Sequence, residues 1–239
     1  MRTVALIPAA GAGTRMRKTP AKQFLPLAGK PLLVYALERV QASPLVHAIV
    51  LVVPPQKREE CWREIVEPYR LSKVERIVGG GATRQESVYK GLQAIDPATE
   101  WVLIHDGVRP FLPTRTIAPL LEAAQESGAA ILALPERETV KRIAREGYVL
   151  ETLNRQEIWR VQTPQVFRYA LLQEAFRHAF AEHYTATDEA TLIERLGVRV
   201  RVLPGSPFNI KITTPEDLFV AEALLQQEPS SWPDGIEGG

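Results

Sequence analysis

The sequence predicts an α/β fold: a Rossmann-like, mostly parallel twisted sheet with helices on both faces, plus a protruding β-arm. Three observations predict it. Short apolar, β-branched runs alternate with helix-length stretches over residues 3–134, the rhythm of strand–helix–strand units. Those runs are almost continuously apolar, as parallel strands buried on both faces must be. Near residue 138 the pattern changes to two polar–apolar alternating segments around Gly147, which reads as an exposed hairpin.

Each element has a local reason. Residues 3–7 (TVALI) form a short apolar run closed by Pro8, hence a buried strand. Residues 32–40 have helical spacing behind Pro31, a good first-turn residue. Residues 48–53 (AIVLVV) give a second strand, stopped by Pro54 and Pro55, and 56–69 a charged amphipathic helix. A third strand is expected over 73–78, a helix over 83–95 and a fourth strand over 101–105. A helix over 116–127 is closed by Gly128, and 129–134 (AAILAL) makes a fifth strand. The hairpin strands are 138–143 and 148–153. Helices follow over 170–182 and 188–196, and strands over 198–203 and 209–212. A last helix, 215–227, starts behind Thr214, a good cap. With no repeat and no long linker, residues 1–226 read as one domain with its arm at about 136–160. Residues 227–239 lack periodicity and read as a disordered tail.

Composition excludes several classes. The 239 residues carry 29 Lys+Arg against 28 Asp+Glu, a net charge of +1. Such balance offers no general field for nucleic acid. No apolar run approaches the ~18 residues that cross a bilayer, and the N-terminus lacks the pattern of a secretory signal. One cysteine, Cys61, forms neither an internal disulfide nor a multi-thiolate zinc site. A reducing cytoplasm is the expected compartment. His47, His178 and His183 have no companions at metal-binding spacing, and His105 reads as a packing residue.

The chemistry starts after the first strand, at Pro8-Ala9-Ala10-Gly11-Ala12-Gly13-Thr14-Arg15-Met16. Glycines there let backbone approach a ligand closely, and successive N–H groups can cradle phosphate. The dinucleotide fingerprint fails because Met16 stands where its last Gly or Ala belongs. A Walker A loop fails because Thr14 and Arg15 follow Gly13. The loop is instead followed by two cations, Arg15 and Lys22, suited to the charge of a transferring phosphoryl group.

Further motifs follow strands. His105-Asp106-Gly107-Val108-Arg109-Pro110 ends the fourth, where open α/β sheets bind ligands. Asp106 there can hold a divalent cation or a ribose hydroxyl, and Arg109 can meet a phosphate bidentately. A turn-capping Asp with Arg109 as its partner is the plainer alternative. Gly79-Gly80-Gly81-Ala82-Thr83-Arg84-Gln85-Glu86-Ser87-Val88 follows the third strand, where Ser87 can hydrogen-bond a base edge. Lys211, in the apolar run NIKIT, calls for an anionic partner, naturally a ligand phosphate. Thr187 or Asp188, and Thr214 with Pro215, read as helix caps, and Asp217 as structural.

Ala9-Ala10-Gly-x-Gly13-x-Arg15-Met16 with Lys22-Gln23 resembles the signature of nucleotidyltransferases acting on sugar and alditol phosphates. Within them it is most similar to the 2-C-methyl-D-erythritol 4-phosphate cytidylyltransferase family. The resemblance runs over about residues 2–226 and includes Glu138-Thr139-Val140-Lys141, Asn154-Arg155 and Gln162-Thr163-Pro164-Gln165. Where the family reads Pro-Lys-Gln the sequence reads Pro20-Ala21-Lys22-Gln23, with the Arg15-to-Lys22 spacing unchanged, and it carries Ala82 where some members have Asp.

The resemblance implies transfer of CMP from CTP to methylerythritol phosphate, with Arg15, Lys22 and Lys211 as catalytic cations. It implies a CTP site made of Pro8, Ala9, Ala10, Gly11, Gly13, Gly81, Ser87 and Asp106. Asp106, Arg109, Thr139, Arg155 and Thr163 are implied for the alditol phosphate, and Asp106 for Mg²⁺ or another divalent cation. It also implies a homodimer in which the arm, with Thr139 and Arg155, crosses to the second subunit. No membrane or nucleic-acid partner is expected. Two other readings stay open: cytidylylation of ribitol 5-phosphate, and a non-catalytic CTP-binding regulator.

Overall fold

The computed structural model describes residues 1–11 and 22–226. In chain order, β1 (Thr3–Pro8) is followed by a small ribbon, β2 (Pro26–Leu27) and β3 (Lys30–Pro31), and by α1 (Leu32–Gln41). Then come β4 (Ala48–Val53), α2 (Arg58–Cys61), β5 (Val74–Gly79), α3 (Arg84–Gln93), β6 (Trp101–Ile104), α4 (Ile117–Ser127) and β7 (Ala129–Pro135). The arm is β8 (Lys141–Ile143) and β9 (Val149–Thr152). After it run β10 (Trp159–Arg168), α5 (Tyr169–Ala181), α6 (Glu189–Arg195), β11 (Arg201–Pro204) and α7 (Pro215–Leu225).

Seven strands form one sheet in the order β11-β7-β10-β6-β1-β4-β5. Every pairing is parallel except those of β10, which runs against both β6 and β7. The expected mostly parallel sheet is therefore present, with one reversed strand.

The two-residue period of a strand sorts the core into two layers. Ala5, Ile7, Ile49, Leu51, Val53 and Leu103 face one side, against Leu33 and Leu37 of α1 and Leu120 and Leu121 of α4. Leu6, Val50, Val52, Val102 and Ile104 face the other, against Val88 and Leu92 of α3 and Leu172 and Phe176 of α5. Both faces are covered, which explains the lack of alternation in the sequence. Gly128 ends α4 at φ +89° and Gly147 turns the hairpin at φ +88°, values at which a β-carbon is strained.

Four expectations need correction. The helix expected over 56–69 is a 3₁₀ turn at Pro55–Lys57, the single α-turn α2, and a π-helical turn at Trp62–Val66. The wider turn brings Cys61, Ile65 and Val66 together into the core. The strand expected over 198–203 is β11, shorter and ending one residue later. Residues 209–212 form no strand. There the Asn209 side chain donates to Thr163 O at 2.8 Å, its carbonyl accepts from Arg109 Nη1 at 2.7 Å, and Ile212 N–H bonds Val108 O at 2.9 Å. Those bonds replace a ladder. Finally, the ten-residue β10 is not among the expected elements, and it carries Pro164, a residue unusual inside an inner strand. A bulge between Gln162 and Gln165 accommodates it, with the Thr163–Pro164 peptide cis.

The expected tail lies outside the described residues. Among the described residues no helix is long and apolar enough to cross a membrane.

Candidate active site

The loops after β1, β5 and β6 meet at the carboxyl edge of the sheet, pinned by bonds that prolong the ladder. Ala9 N–H donates to Val52 O at 2.7 Å, Gly80 N–H to Val53 O at 2.8 Å and His105 N–H to Leu6 O at 3.1 Å. The buried Gln23 amide donates to Ala9 O and holds the first loop down.

Asp106 is the centre. Lys211 Nζ lies 2.8 Å from its Oδ2, Arg84 Nη2 3.4 Å from its Oδ1 and Arg109 Nε 3.7 Å from its Oδ2. Burial alone pushes a carboxyl pKa up. Here Arg84, Lys211 and Arg109 outweigh burial and hold Asp106 well below the usual carboxylate range. Arg84 is also gripped by Glu189, at 2.7 and 3.0 Å.

Below Asp106 lies a buried polar chain. Asp106 N–H donates to Thr163 Oγ1 at 3.0 Å. The Thr163 hydroxyl lies 3.2 Å from His105 Nδ1, and His105 Nε2 3.0 Å from Arg109 O. A carbonyl only accepts, so Nε2 carries the proton, Nδ1 accepts, and Thr163 donates to it. Burial pushes the His105 pKa down to about 4 and keeps the ring neutral. His105 is buried as a packing residue should be, and it also supports the loop that carries Asp106.

Two cavities meet at this cluster. One, of about 290 Å³, is lined by Pro8, Ala9, Ala10, Gly11, Gly81 and Ser87 together with Lys22. The other, of about 340 Å³, is lined by Arg109, Gln162, Thr163, Gln165, Thr187 and Asp188. Arg84, Asp106 and Lys211 line both.

Most of the described residues singled out by sequence therefore converge. Ser87 Oγ donates to Thr83 O at 2.8 Å and accepts Gly81 N–H at 3.0 Å, which leaves it one acceptor lone pair. Lys211 has its anionic partner within the protein rather than waiting for a ligand. Asp188 caps α6, accepting Thr191 N–H at 3.0 Å, and Thr214 caps α7 in a capping box with Asp217. Gly13 and Arg15 lie outside the described residues. Thr139 and Arg155 do not join the cluster: both are exposed on the arm, where Arg155 Nη1 donates to Arg137 O at 2.9 Å.

Sequence reasoning missed Arg84, Glu189 and Gln165 as site residues. Arg84 sits inside a quoted motif and Glu189 beside a cap, so local readings covered both. The amide of Gln165 donates to Asp188 Oδ2 at 2.8 Å, while its Oε1 is buried without a hydrogen-bond partner; Arg109 Nε likewise makes no hydrogen bond, only the longer ion pair with Asp106. The signal that could have found Gln165 is polarity inside a strand. Among the described residues no group of three or more His, Cys, Asp or Glu side chains can hold a metal ion.

An open α/β sheet with a glycine loop lining one cavity, and a cation-ringed aspartate on the wall shared with a second, fits a two-substrate enzyme acting on phosphates, of the nucleotidyltransferase class. The comparisons with known proteins narrow this. Residues 3–227 match the sequence model of the family described as "IspD: 2-C-methyl-D-erythritol 4-phosphate cytidylyltransferase", and the chain belongs to that family. It is 46% identical over 227 residues to the enzyme of that name from Syntrophus aciditrophicus (strain SB), covering 95% of this chain and 97% of that protein. The crystal structure of 4-diphosphocytidyl-2C-methyl-D-erythritol synthase from Anaerococcus prevotii DSM 20548 superposes with a TM-score of 0.83 at 34% identity, over 95% of this chain and 96% of that one. That of the Thermus thermophilus cytidylyltransferase gives 0.78 at 36% identity, over 95% of this chain and all of that one.

Proposed function

We propose that the chain transfers CMP from CTP to 2-C-methyl-D-erythritol 4-phosphate, a step of non-mevalonate isoprenoid biosynthesis in the cytoplasm. The products are 4-diphosphocytidyl-2-C-methyl-D-erythritol and diphosphate. The observation that carries this reading is the wall of Arg84, Asp106 and Lys211 common to two cavities. Two phosphate-bearing substrates on either side of it would meet at their phosphates.

A 4-phosphate oxygen attacks the α-phosphorus of CTP. The new P–O bond forms as the bond to the β-phosphate oxygen breaks, and diphosphate leaves with that electron pair. No side-chain nucleophile is required. The chain's part is positioning and charge. Lys22 and Lys211 face the triphosphate, and Arg15 keeps the role its motif implies. Gly81 and Ser87 take the cytosine, with the spare Ser87 lone pair accepting from the exocyclic amine. Arg109 and Thr163 border the alditol phosphate.

Asp106 is the carboxylate on the wall common to both cavities, with Lys211 on one oxygen and Arg84 near the other, so Mg²⁺ or another divalent ion there would be held mainly by substrate phosphates with Asp106 as the protein's ligand. When bound, such an ion neutralises phosphate charge and orients the leaving group. The arm supports a homodimer: β8 and β9 are exposed at every residue, as are Tyr148 and Leu150. Thr139 and Arg155 then serve the partner's site.

The test is diphosphate release from CTP with methylerythritol phosphate and, separately, with ribitol 5-phosphate. Faster turnover of the first is expected. Preference for ribitol 5-phosphate overturns the acceptor assignment, and tight CTP binding without release on either makes the chain a regulator.

A further inference from the structure

Arg84 and Glu189 come from distant parts of the chain and meet between the cavities. Arg84 opens α3, beside the glycine loop that lines the smaller cavity. Glu189 opens α6, next to Thr187 and Asp188, which line the larger one. Glu189 is 1% exposed, and its carboxylate accepts from Nη1 at 2.7 Å and Nη2 at 3.0 Å, a two-pronged grip. Among the described residues Arg84 is its one hydrogen-bonding side chain. The reach of Arg84 to Asp106 is longer, 3.4 Å, and about a third of its side chain stays open. The guanidinium is thus held by Glu189 while part of the Arg84 side chain stays open on the wall of both cavities.

A buried ion pair stabilises a fold little compared with apolar packing of the same shape. This one lies on the wall common to both cavities. It also governs Asp106. Without Glu189, the Arg84 fork is free to turn onto Asp106, where it competes with Lys211 for the carboxylate.

We propose that Glu189 is a positioning residue for the transfer: it aims Arg84 at the phosphates where the two cavities join and leaves Asp106 to Lys211. Arg84 is then a catalytic residue in contact with those phosphates. This rests on the CMP-transfer reading above.

The experiment compares kcat and both KM values for wild type, E189Q, R84Q and R84Q/E189Q in the diphosphate-release assay, together with each variant's Tm. E189Q is expected to lower kcat about tenfold to a hundredfold, the scale of a small misplacement of a reacting group. The KM for CTP should move less than about threefold, since the nucleotide cavity keeps its own wall. The double variant should be no slower than R84Q, because Glu189 acts through Arg84. Turnover of E189Q within twofold of wild type overturns the proposal. So do losses that multiply in the double variant, or a loss of kcat that vanishes well below the variant's Tm. Should E189Q alone not fold, R84Q/E189Q removes both charges together, and a further tenfold loss relative to R84Q overturns it. An inactive wild type is a different result, since it removes the CMP-transfer reading itself.

Discussion

The smaller cavity takes Pro8, Ala9, Ala10, Gly11, Gly81 and Ala82 from two loops, and such short side chains leave main chain within reach of a ligand. The larger cavity is walled by polar side chains: two glutamines, two of its threonines and Asp188 stand around it. Main-chain walls suit a flat base and a row of phosphates, whose recognition needs N–H groups at close range. Side-chain walls suit a substrate told apart by the arrangement of its hydroxyls. Between them stand Arg84, Asp106 and Lys211, where charge rather than shape decides. Recognition and chemistry thus occupy different material, and variants should separate them.

The largest effect belongs to two cations, Lys22 of the smaller cavity and Lys211 of the common wall. Lys22→Ala and Lys211→Ala should each lower kcat by about a hundredfold or more, the scale for one transition-state charge contact. Steady-state diphosphate release checks this, and near-wild-type turnover in either removes its catalytic role. Next is the support beneath Asp106. The unfolded chain binds a proton at the ordinary histidine value of about 6.5, whereas folded His105 does so only near 4. Stability is unaffected above the upper value and falls as pH drops between the two. The loss from pH 6.5 to pH 5 should be about 2 kcal/mol. Urea midpoints at pH 7 and pH 5 measure it. His105→Gln should flatten the difference, and an unchanged slope would assign the loss elsewhere.

One-sided effects come third. Gln165→Leu removes the unpartnered acceptor and should raise the KM for the alditol phosphate about tenfold while leaving that for CTP alone. Ser87→Ala should do the reverse, raising the KM for CTP by a similar factor. If either variant shifts both constants equally, the two cavities are not independent. The smallest effect lies away from both. Thr214→Ala removes the α7 cap and should lower stability by about 1 kcal/mol with kcat unchanged, checked by denaturant titration beside the assay.

This division also explains what was legible in the sequence. The main-chain walls follow strands that could be read from apolar runs alone, since residues 48–53 need only be buried to be recognised. Pro8 to Gly11, Gly81 and Ser87 lie in or just after the loops that end those strands, and their assignment to CTP comes from the family resemblance. The side-chain walls depend on long-range pairing. β10 hides behind Pro164 and three buried polar residues, Gln162, Thr163 and Gln165, and its neighbours β6 and β7 decide its conformation. The 209–212 segment looks like a strand because it alternates, yet its backbone and Asn209 are spent on Thr163, Arg109 and Val108. Glu189 and Arg84 are 105 residues apart, and no local pattern announces their contact.

The reversed direction of β10 has one more consequence. The arm leaves the sheet after Pro135 and returns at Trp159, and those two residues face each other in the ladder. Its root is closed by Glu136 N–H on Ile158 O at 2.8 Å and by Arg160 beside Glu136 at 3.2 Å. The whole insertion is therefore an overgrown hairpin loop with both feet clamped side by side. Lengthening or shortening such a loop costs little, because closure entropy grows only slowly with length. The arm is in this sense an exchangeable fitting. A lineage can trade it for another while the nucleotide loops across the sheet keep their register.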